Sequence, residues 1–235
     1  MNSINILECI GAIQAAKSLE ELLGVADSFA KSQGFDYFSY GHRVHAPFSA
    51  SPTMHNNYPE LWQSIYQDRG YINHDPLVKH AMKSSAPLIW STQDNAFSEA
   101  SIFQEELMGF DIKSGWCQST RSTVGISLLT FAHSHTSLSC SDINTPELMW
   151  FTQAFNNALE ELISSPLLVD TDIYLTSREI DVTRWTADGK TSYEIAVILG
   201  ISERTVNFHL NNMMEKLSAN NRISATVKAI SLGLI

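Results

Sequence analysis

The chain has 235 residues, a mass of 26.2 kDa and a formal net charge of −10 at pH 7. Its length predicts one large domain or two smaller ones, and 44% hydrophobic residues exclude an intrinsically disordered protein. The three cysteines Cys9, Cys117 and Cys140 lack CxxC spacing, which excludes a disulfide framework and a cysteine zinc site and fits a reducing compartment.

We expect neither a membrane span nor a secretory leader. No run approaches the ~20 apolar residues that a span needs. Residues 2–16 contain no Lys or Arg, and Glu8 interrupts their apolar stretch, unlike a signal peptide. We therefore expect a cytoplasmic protein without a membrane partner.

The charge is unevenly distributed along the chain. Residues 174–235 hold seven basic and six acidic residues, a net charge of +1. The remainder holds 8 basic and 19 acidic residues, a net charge of −11. Because only the C-terminal part lacks a net negative charge, we expect two domains with different partners.

The first part of the chain alternates between helical and strand patterns. A capping box at Ser18 opens a helix that Gly34 ends, and a strand is predicted over 37–44. Pro59, Pro76 and Pro146 occupy positions typical of a first helical residue. Further strands are predicted over 88–90, 115–119 and 124–132. This alternation predicts an α/β/α sandwich, and the short connections favour a mainly antiparallel sheet.

The predicted domain boundary follows a long amphipathic helix. Apolar residues recur at three- and four-residue steps from Leu148 to Leu162, and we expect Pro166 to end the helix. This assigns residues 1–164 to the first domain, 165–174 to a linker and 175–235 to an all-α second domain of four helices. In the second domain, helical patterns begin near Ser177, Ser192, Ser202 and Asn221, and we expect Ser177 and Ser202 to cap their helices.

The middle two helices of the second domain have the form of a helix-turn-helix. A short helix ends at Leu199-Gly200-Ile201, and a longer one starts at Ser202. Spacing alone leaves a plain helical hairpin equally open. However, the segments Leu175–Glu179, Gly189–Thr191, Glu194–Ala196 and Ser202–His209, with Lys216-Leu217 and Asn221-Arg222, resemble the DNA-binding domain of LuxR-type transcription regulators.

This resemblance suggests how the second domain would contact DNA. Lys190 and Thr191 precede the short helix, where free backbone amides attract a phosphate. Arg204 and Thr205 lie in the first turn of the longer helix and can do the same. Asn207 and Asn211 are four residues apart on one face, and Asn can recognise adenine through two hydrogen bonds. His209 is a further candidate on this helix.

Three aromatic residues in the first domain are spaced by four. Tyr58, Trp62 and Tyr66 share one face of a predicted helix, and Asp75-Pro76 opens the next helix. A plain aromatic core and a simple helix cap also explain these residues. Together, Trp62, Tyr66, Asp75, Pro76, Trp90 and Gly115 resemble, in order and spacing, the signature of the LuxR-type autoinducer-binding domain.

By that resemblance, the ligand is an N-acyl-homoserine lactone. Trp62 donates to the lactone carbonyl, Asp75 accepts the amide hydrogen, and Tyr58 donates to the amide carbonyl. Ser39 and Thr130 reach the acyl-chain carbonyl or a 3-substituent. The remaining candidates form apolar walls: Tyr66, Trp90, Phe103, Trp116 and Leu128.

The sequence thus predicts a quorum-sensing regulator that binds palindromic promoter DNA as a homodimer, with RNA polymerase as a further partner. Two alternatives remain: a regulator of this type that responds to another small amphiphile or to none, and a protein that sequesters related regulators as heterodimers. The eight histidines, including His133 and His135, show no metal framework, and no GxSxG elbow is present. We expect no catalytic residue, metal or cofactor.

Overall fold

The computed structural model describes residues 6–45, 50–98, 101–122, 125–134, 143–167 and 173–235. The chain divides into two compact units, one formed by Met1–Val44 with Ser51–Pro166 and the other mainly by Leu167–Ile235. The predicted residues Val124, His135 and Cys140, and part of the predicted linker, lie outside the described residues.

The first unit is built on a five-stranded sheet in the order β2-β1-β5-β4-β3, with every adjacent pair antiparallel. The strands are β1 (Tyr37–Val44), β2 (Thr53–Asn56), β3 (Leu88–Ser91), β4 (Ser114–Arg121) and β5 (Gly125–His133). Strand β5 is central. Its Thr130 pairs with Ser39 of β1 on one side and with Cys117 of β4 on the other. The prediction of an antiparallel sheet is confirmed, although it missed β2.

Helices cover both faces of this sheet. They are α1 (Ile6–Ala15), α2 (Leu19–Ser32), α3 (Glu60–Asp68), α4 (Pro76–Lys83), α5 (Asn95–Ser98), α6 (Ser101–Gly109) and α7 (Thr145–Leu167), with a 3-10 helix at Tyr71–Asn73. One face packs against α1, α2 and α7, where the rings of Phe29 and Phe151 stack 3.9 Å apart. The other packs against α3 to α6 through an aromatic cluster that includes Trp62 and Phe103. The predicted α/β/α sandwich is therefore confirmed.

One predicted helix end was wrong by a residue. Helix α7 includes Pro166 and ends at Leu167. The φ of proline is fixed at about −65°, a helical value, so a proline can itself lie in the last turn before a helix ends.

The second unit consists of four helices around a single core. They are α8 (Ser177–Ala187), α9 (Ser192–Leu199), α10 (Glu203–Lys216) and α11 (Arg222–Ser231). Val182, Ile195, Val206 and Ala225, one from each helix, are buried in this core. Thr176, rather than the predicted Ser177, caps α8, and its capping box with Glu179 satisfies backbone amides at the helix start.

The described ranges of the chain lack a membrane-spanning helix and a cluster of metal-binding side chains. No helix within these ranges is long and apolar enough to cross a membrane. No group of three or more His, Cys, Asp and Glu side chains among the same residues is arranged to hold a metal ion.

Candidate functional site

A cavity of about 620 Å³ lies between the sheet and helices α3, α4 and α6 of the first unit. Alternation along β1 and β5 directs every second side chain towards it. The opposite side of the cavity is closed by side chains of α3 and of the start of α4, which the sequence analysis predicted. Nine of the ten predicted ligand residues line the cavity: Ser39, Tyr58, Trp62, Tyr66, Asp75, Trp90, Phe103, Leu128 and Thr130.

Asp75 is the acidic group of this cavity and is only 9% exposed. Its Oδ1 accepts a 2.8 Å hydrogen bond from the Leu77 amide, as an N-cap does at the start of α4. Its Oδ2 accepts a 2.9 Å hydrogen bond from the Tyr66 hydroxyl. Because each carboxylate oxygen accepts two hydrogen bonds, Asp75 keeps acceptor capacity for a group in the cavity.

Burial also controls the protonation of this site. It raises the pKa of Asp75, although the hydrogen bonds from Leu77 and Tyr66 act in the opposite direction. The pKa of Tyr58 is raised by burial and by the nearby Asp75 carboxylate. The Tyr58 hydroxyl therefore stays protonated near neutral pH and can donate a hydrogen bond.

Aromatic rings enclose the polar groups. The Trp62 ring lies 5.9 Å from Tyr66 in an edge-to-face arrangement and 5.8 Å from Phe103. Trp90 is 2% exposed, and its indole nitrogen has no hydrogen-bond partner within the described parts of the chain. A few polar groups inside an aromatic wall suit an uncharged amphiphile.

Gly115 permits close packing of strand β5 and of the Trp90 ring against strand β4. It pairs with Trp90 across β3 and β4. A Cβ atom at this position would collide with the Phe131 carbonyl oxygen and would lie 2.9 Å from Cζ2 of Trp90. The glycine of the predicted signature is therefore required by packing.

Trp116 is the one predicted ligand residue that the structure does not bring to the cavity. It follows Gly115 on β4, so its side chain points to the other face of the sheet. There it packs in the core with Phe131, whose ring centroid is 6.0 Å away. The prediction of Trp116 as a ligand residue is corrected for this reason.

Several lining residues were missed by the sequence analysis. They lie on the missed strand β2, on the far parts of β1 and β5, and on α4 and α6. Examples are Gly41, Met54, Val78, Leu107 and Ile126. Apolar side chains and a glycine carry no motif, so only the alternation along β1 and β5 could have indicated Gly41 and Ile126.

The second unit contains the predicted helix-turn-helix. Gly200 ends α9 in the left-handed conformation at φ 65°, and Ser202 caps α10 by accepting from the Thr205 amide at 3.1 Å. Val206 and Leu210 are buried, which fixes the inner face of α10. Arg204, Asn207 and Asn211 recur at three- and four-residue steps and are exposed.

The other residues predicted to contact DNA lie at the helix starts or between the buried and exposed faces of α10. Thr191 is exposed and forms a capping box with Glu194, whose carboxylate accepts from the Thr191 amide at 2.8 Å. Lys190, Thr205 and His209 are half-buried. The sequence analysis missed Phe208, which is 59% exposed on α10 and can contact a thymine methyl group.

Side-chain contacts fix the position of α10. The Asn207 Oδ1 accepts a 2.8 Å hydrogen bond from the Ser192 hydroxyl of α9. The Lys216 ammonium donates a 2.7 Å hydrogen bond to the buried Glu179 carboxylate of α8. Burial opposes the charge of Glu179, but the contacts with Lys216 and Thr176 outweigh it and lower the pKa of this carboxyl. Glu179 is therefore a structural residue.

Comparisons with known proteins match each part of the chain to a domain family. Residues 18–159 match the autoinducer binding domain, and residues 174–229 match the bacterial regulatory proteins of the luxR family. The transcriptional activator protein AnoR of Acinetobacter nosocomialis is 41% identical over 97% of this chain and 98% of its own.

Two solved structures are also similar. The Escherichia coli SdiA in complex with octanoyl-rac-glycerol is 28% identical, with a TM-score of 0.70 over 98% of this chain and 97% of that chain. The N-acylhomoserine lactone dependent factor CepR2 of Burkholderia cenocepacia is 25% identical, with a TM-score of 0.58 over 70% of this chain and 96% of that chain. The chain therefore belongs to the LuxR family of autoinducer-binding transcriptional regulators and is not an enzyme.

Proposed function

We propose that the cavity binds an N-acyl-homoserine lactone. The observation that carries this proposal is the grouping of Asp75, Tyr58 and Trp62 at a single aromatic-walled cavity. An amide N–H of the ligand finds an acceptor in Asp75, and its carbonyl groups find donors in the other two side chains. The N-acylhomoserine lactone dependence of the similar factor CepR2 supports the same ligand class.

In this arrangement, Trp62 donates to the lactone carbonyl and Tyr58 to the amide carbonyl. Ser39 and Thr130 face each other across β1 and β5, where their hydroxyls reach the acyl-chain carbonyl or a 3-substituent. Tyr66, Trp90, Phe103 and Leu128 supply the apolar wall.

Residues 175–235 then act as the DNA-binding domain, joined to the ligand-binding residues 1–164 by a linker over 165–174. The exposed face of α10 enters the major groove, with Arg204 on phosphate and Asn211 on a base edge. One short recognition helix contacts few bases, so we propose a homodimer on a two-fold symmetric site. Such a regulator acts on the chromosome in the cytoplasm, with RNA polymerase as a further partner.

A neutral monoacylglycerol is a second candidate ligand. The similar SdiA forms a complex with octanoyl-rac-glycerol, an ester amphiphile, which favours this second ligand class. A glycerol ester has no amide N–H, so it would not use Asp75 in the same way as a lactone does.

Thermal unfolding of the purified full chain separates the two ligand classes. We expect acyl-homoserine lactones to raise the unfolding temperature in a dose-dependent manner by binding the folded state. Asp75→Asn should reduce this shift strongly, whereas Asp68→Asn, an exposed substitution on α3, should not. A shift by octanoyl glycerol alone, equal in both variants, would favour the second candidate.

A further inference from the structure

The cavity is elongated along strands β1 and β5. Ser39, Gly41 and Arg43 of β1 all line it, and they pair with Thr130, Leu128 and Ile126 of β5 in that order. The four residue steps from Ser39 to Arg43 span about 13 Å of strand. The sheet therefore provides a continuous cavity wall of that length, starting at the hydroxyls of Ser39 and Thr130.

Helix α4 runs along the other side of the same space. Asp75, Val78 and Met82 line the cavity from the start of the helix to its last turn. Seven residues of α-helix advance by about 10 Å. The far end of the cavity, lined by Arg43, Met82 and Lys83, is exposed to solvent.

Gly41 lies halfway along the strand wall. A Cβ atom there would have one atom as close as 4.0 Å, the carbonyl oxygen of Thr53, which is an ordinary van der Waals contact. The φ angle of Gly41 is not positive, so its backbone conformation does not require glycine. Because glycine has no side chain, space remains in the middle of the cavity.

We propose that Gly41 keeps open the channel for the acyl chain, so that the protein prefers lactones with long chains of about ten or more carbons. This inference rests on the proposed lactone function. A C–C bond of ~1.5 Å advances an extended chain by less than its own length, so about 13 Å accommodates roughly ten carbon atoms. A side chain at position 41 would shorten the space available to the chain.

The test measures unfolding temperature and half-maximal ligand concentration for full-length protein with lactones of four to fourteen carbons. Wild type should respond most strongly to chains of ten or more carbons. Gly41→Leu should lose this response and keep that to short chains, because each excluded methylene group costs roughly fourfold in affinity. Val78→Phe obstructs the same channel from α4 and should cause the same change. Gly24→Leu, at an exposed position with open space on α2, should keep the wild-type ranking.

The outcomes separate the two proposals. If no lactone of any length stabilises wild type, the proposed ligand class fails and this inference fails with it. If wild type responds best to short chains, or if folded Gly41→Leu keeps the wild-type ranking of chain lengths, the inference fails and lactone binding stands. A variant that unfolds without ligand below the wild-type temperature is judged by its ranking of chain lengths, and loss of folding in one variant leaves the other as the test.

Discussion

The Tyr66 hydroxyl donates a 2.9 Å hydrogen bond to the same Asp75 carboxylate that caps helix α4. One carboxylate thus connects α3 to the start of α4 and lines the ligand cavity. Its burial is costly for the ligand-free protein, because an ionised group is less stable away from water. A ligand that donates a hydrogen bond to Asp75 reduces that cost, which couples binding to folding stability.

The first prediction concerns pH. Because burial raises the pKa of Asp75, the folded protein binds its proton at higher pH than the unfolded chain does. The free energy of unfolding should therefore decrease as pH rises from the ordinary carboxyl value of ~3.9 through the raised pKa. Asp75→Asn removes this dependence, and asparagine still caps α4. Urea unfolding of ligand-free protein should show a stability difference that grows in favour of the variant across this range; parallel pH profiles would contradict the account.

The second prediction isolates the hydroxyl of Tyr66. Tyr66→Phe keeps the aromatic ring in the wall but removes the hydrogen bond that orients Asp75. We expect the half-maximal lactone concentration to rise about threefold to tenfold, the effect of one net hydrogen bond. Tyr71→Phe is the matched control, since its hydroxyl donates to Glu106 at 2.6 Å and Tyr71 does not line the cavity. Equal dose–response curves for Tyr66→Phe and wild type would contradict a positioning role.

The third prediction tests the close packing at Gly115. Gly115→Ala should lower the free energy of unfolding by about 1–3 kcal/mol, because its methyl group collides with the neighbouring strand and with Trp90. Gly24→Ala on the exposed face of α2 should instead raise it by about 0.5–1 kcal/mol through helix propensity. Urea denaturation measures both variants. A neutral effect of Gly115→Ala would show that β4 can move away from both Phe131 and Trp90 at little cost.

The fourth prediction distinguishes two exposed residues of α10. Arg204→Gln should weaken binding to all DNA sequences by a similar factor and reduce the salt dependence of log K by about one charge. Asn211→Ala should leave the salt dependence unchanged and lose about 1–3 kcal/mol of discrimination at one base pair. Fluorescence anisotropy over a series of salt concentrations and single-base variants tests both. An opposite assignment of the two effects would reverse the roles of these residues.

The sequence was most informative where local chemistry determines structure. The boundaries of β1 and α9 follow from β-branched and aromatic runs and from capping residues, and the structure places both elements at Tyr37–Val44 and Ser192–Leu199 as predicted. The short strand β2 was missed because four residues give little periodicity, and its pairing with β1 stabilises it.

The site was predictable in its polar part and less so in its apolar part. Trp62 and Asp75 were predicted from the resemblance to the signature of the LuxR-type autoinducer-binding domain, and the structure brings both to one cavity. Trp116 was misplaced because neighbouring residues on a strand face opposite sides, and a one-residue difference in register reverses the assignment. Gly41 has no side chain to attract attention, so its position in the cavity wall became visible only in three dimensions.

The most direct test of the account is lactone-dependent DNA recognition by the purified full chain. Duplexes are selected from a random library with and without a long-chain lactone, and the affinity for the selected site is then measured by anisotropy. We predict an inverted-repeat site bound by a dimer, with affinity that rises on addition of lactone for wild type and Asp68→Asn but not for Asp75→Asn. Equal affinity with and without every lactone tested, in wild type and in Asp75→Asn alike, would contradict a lactone-controlled regulator.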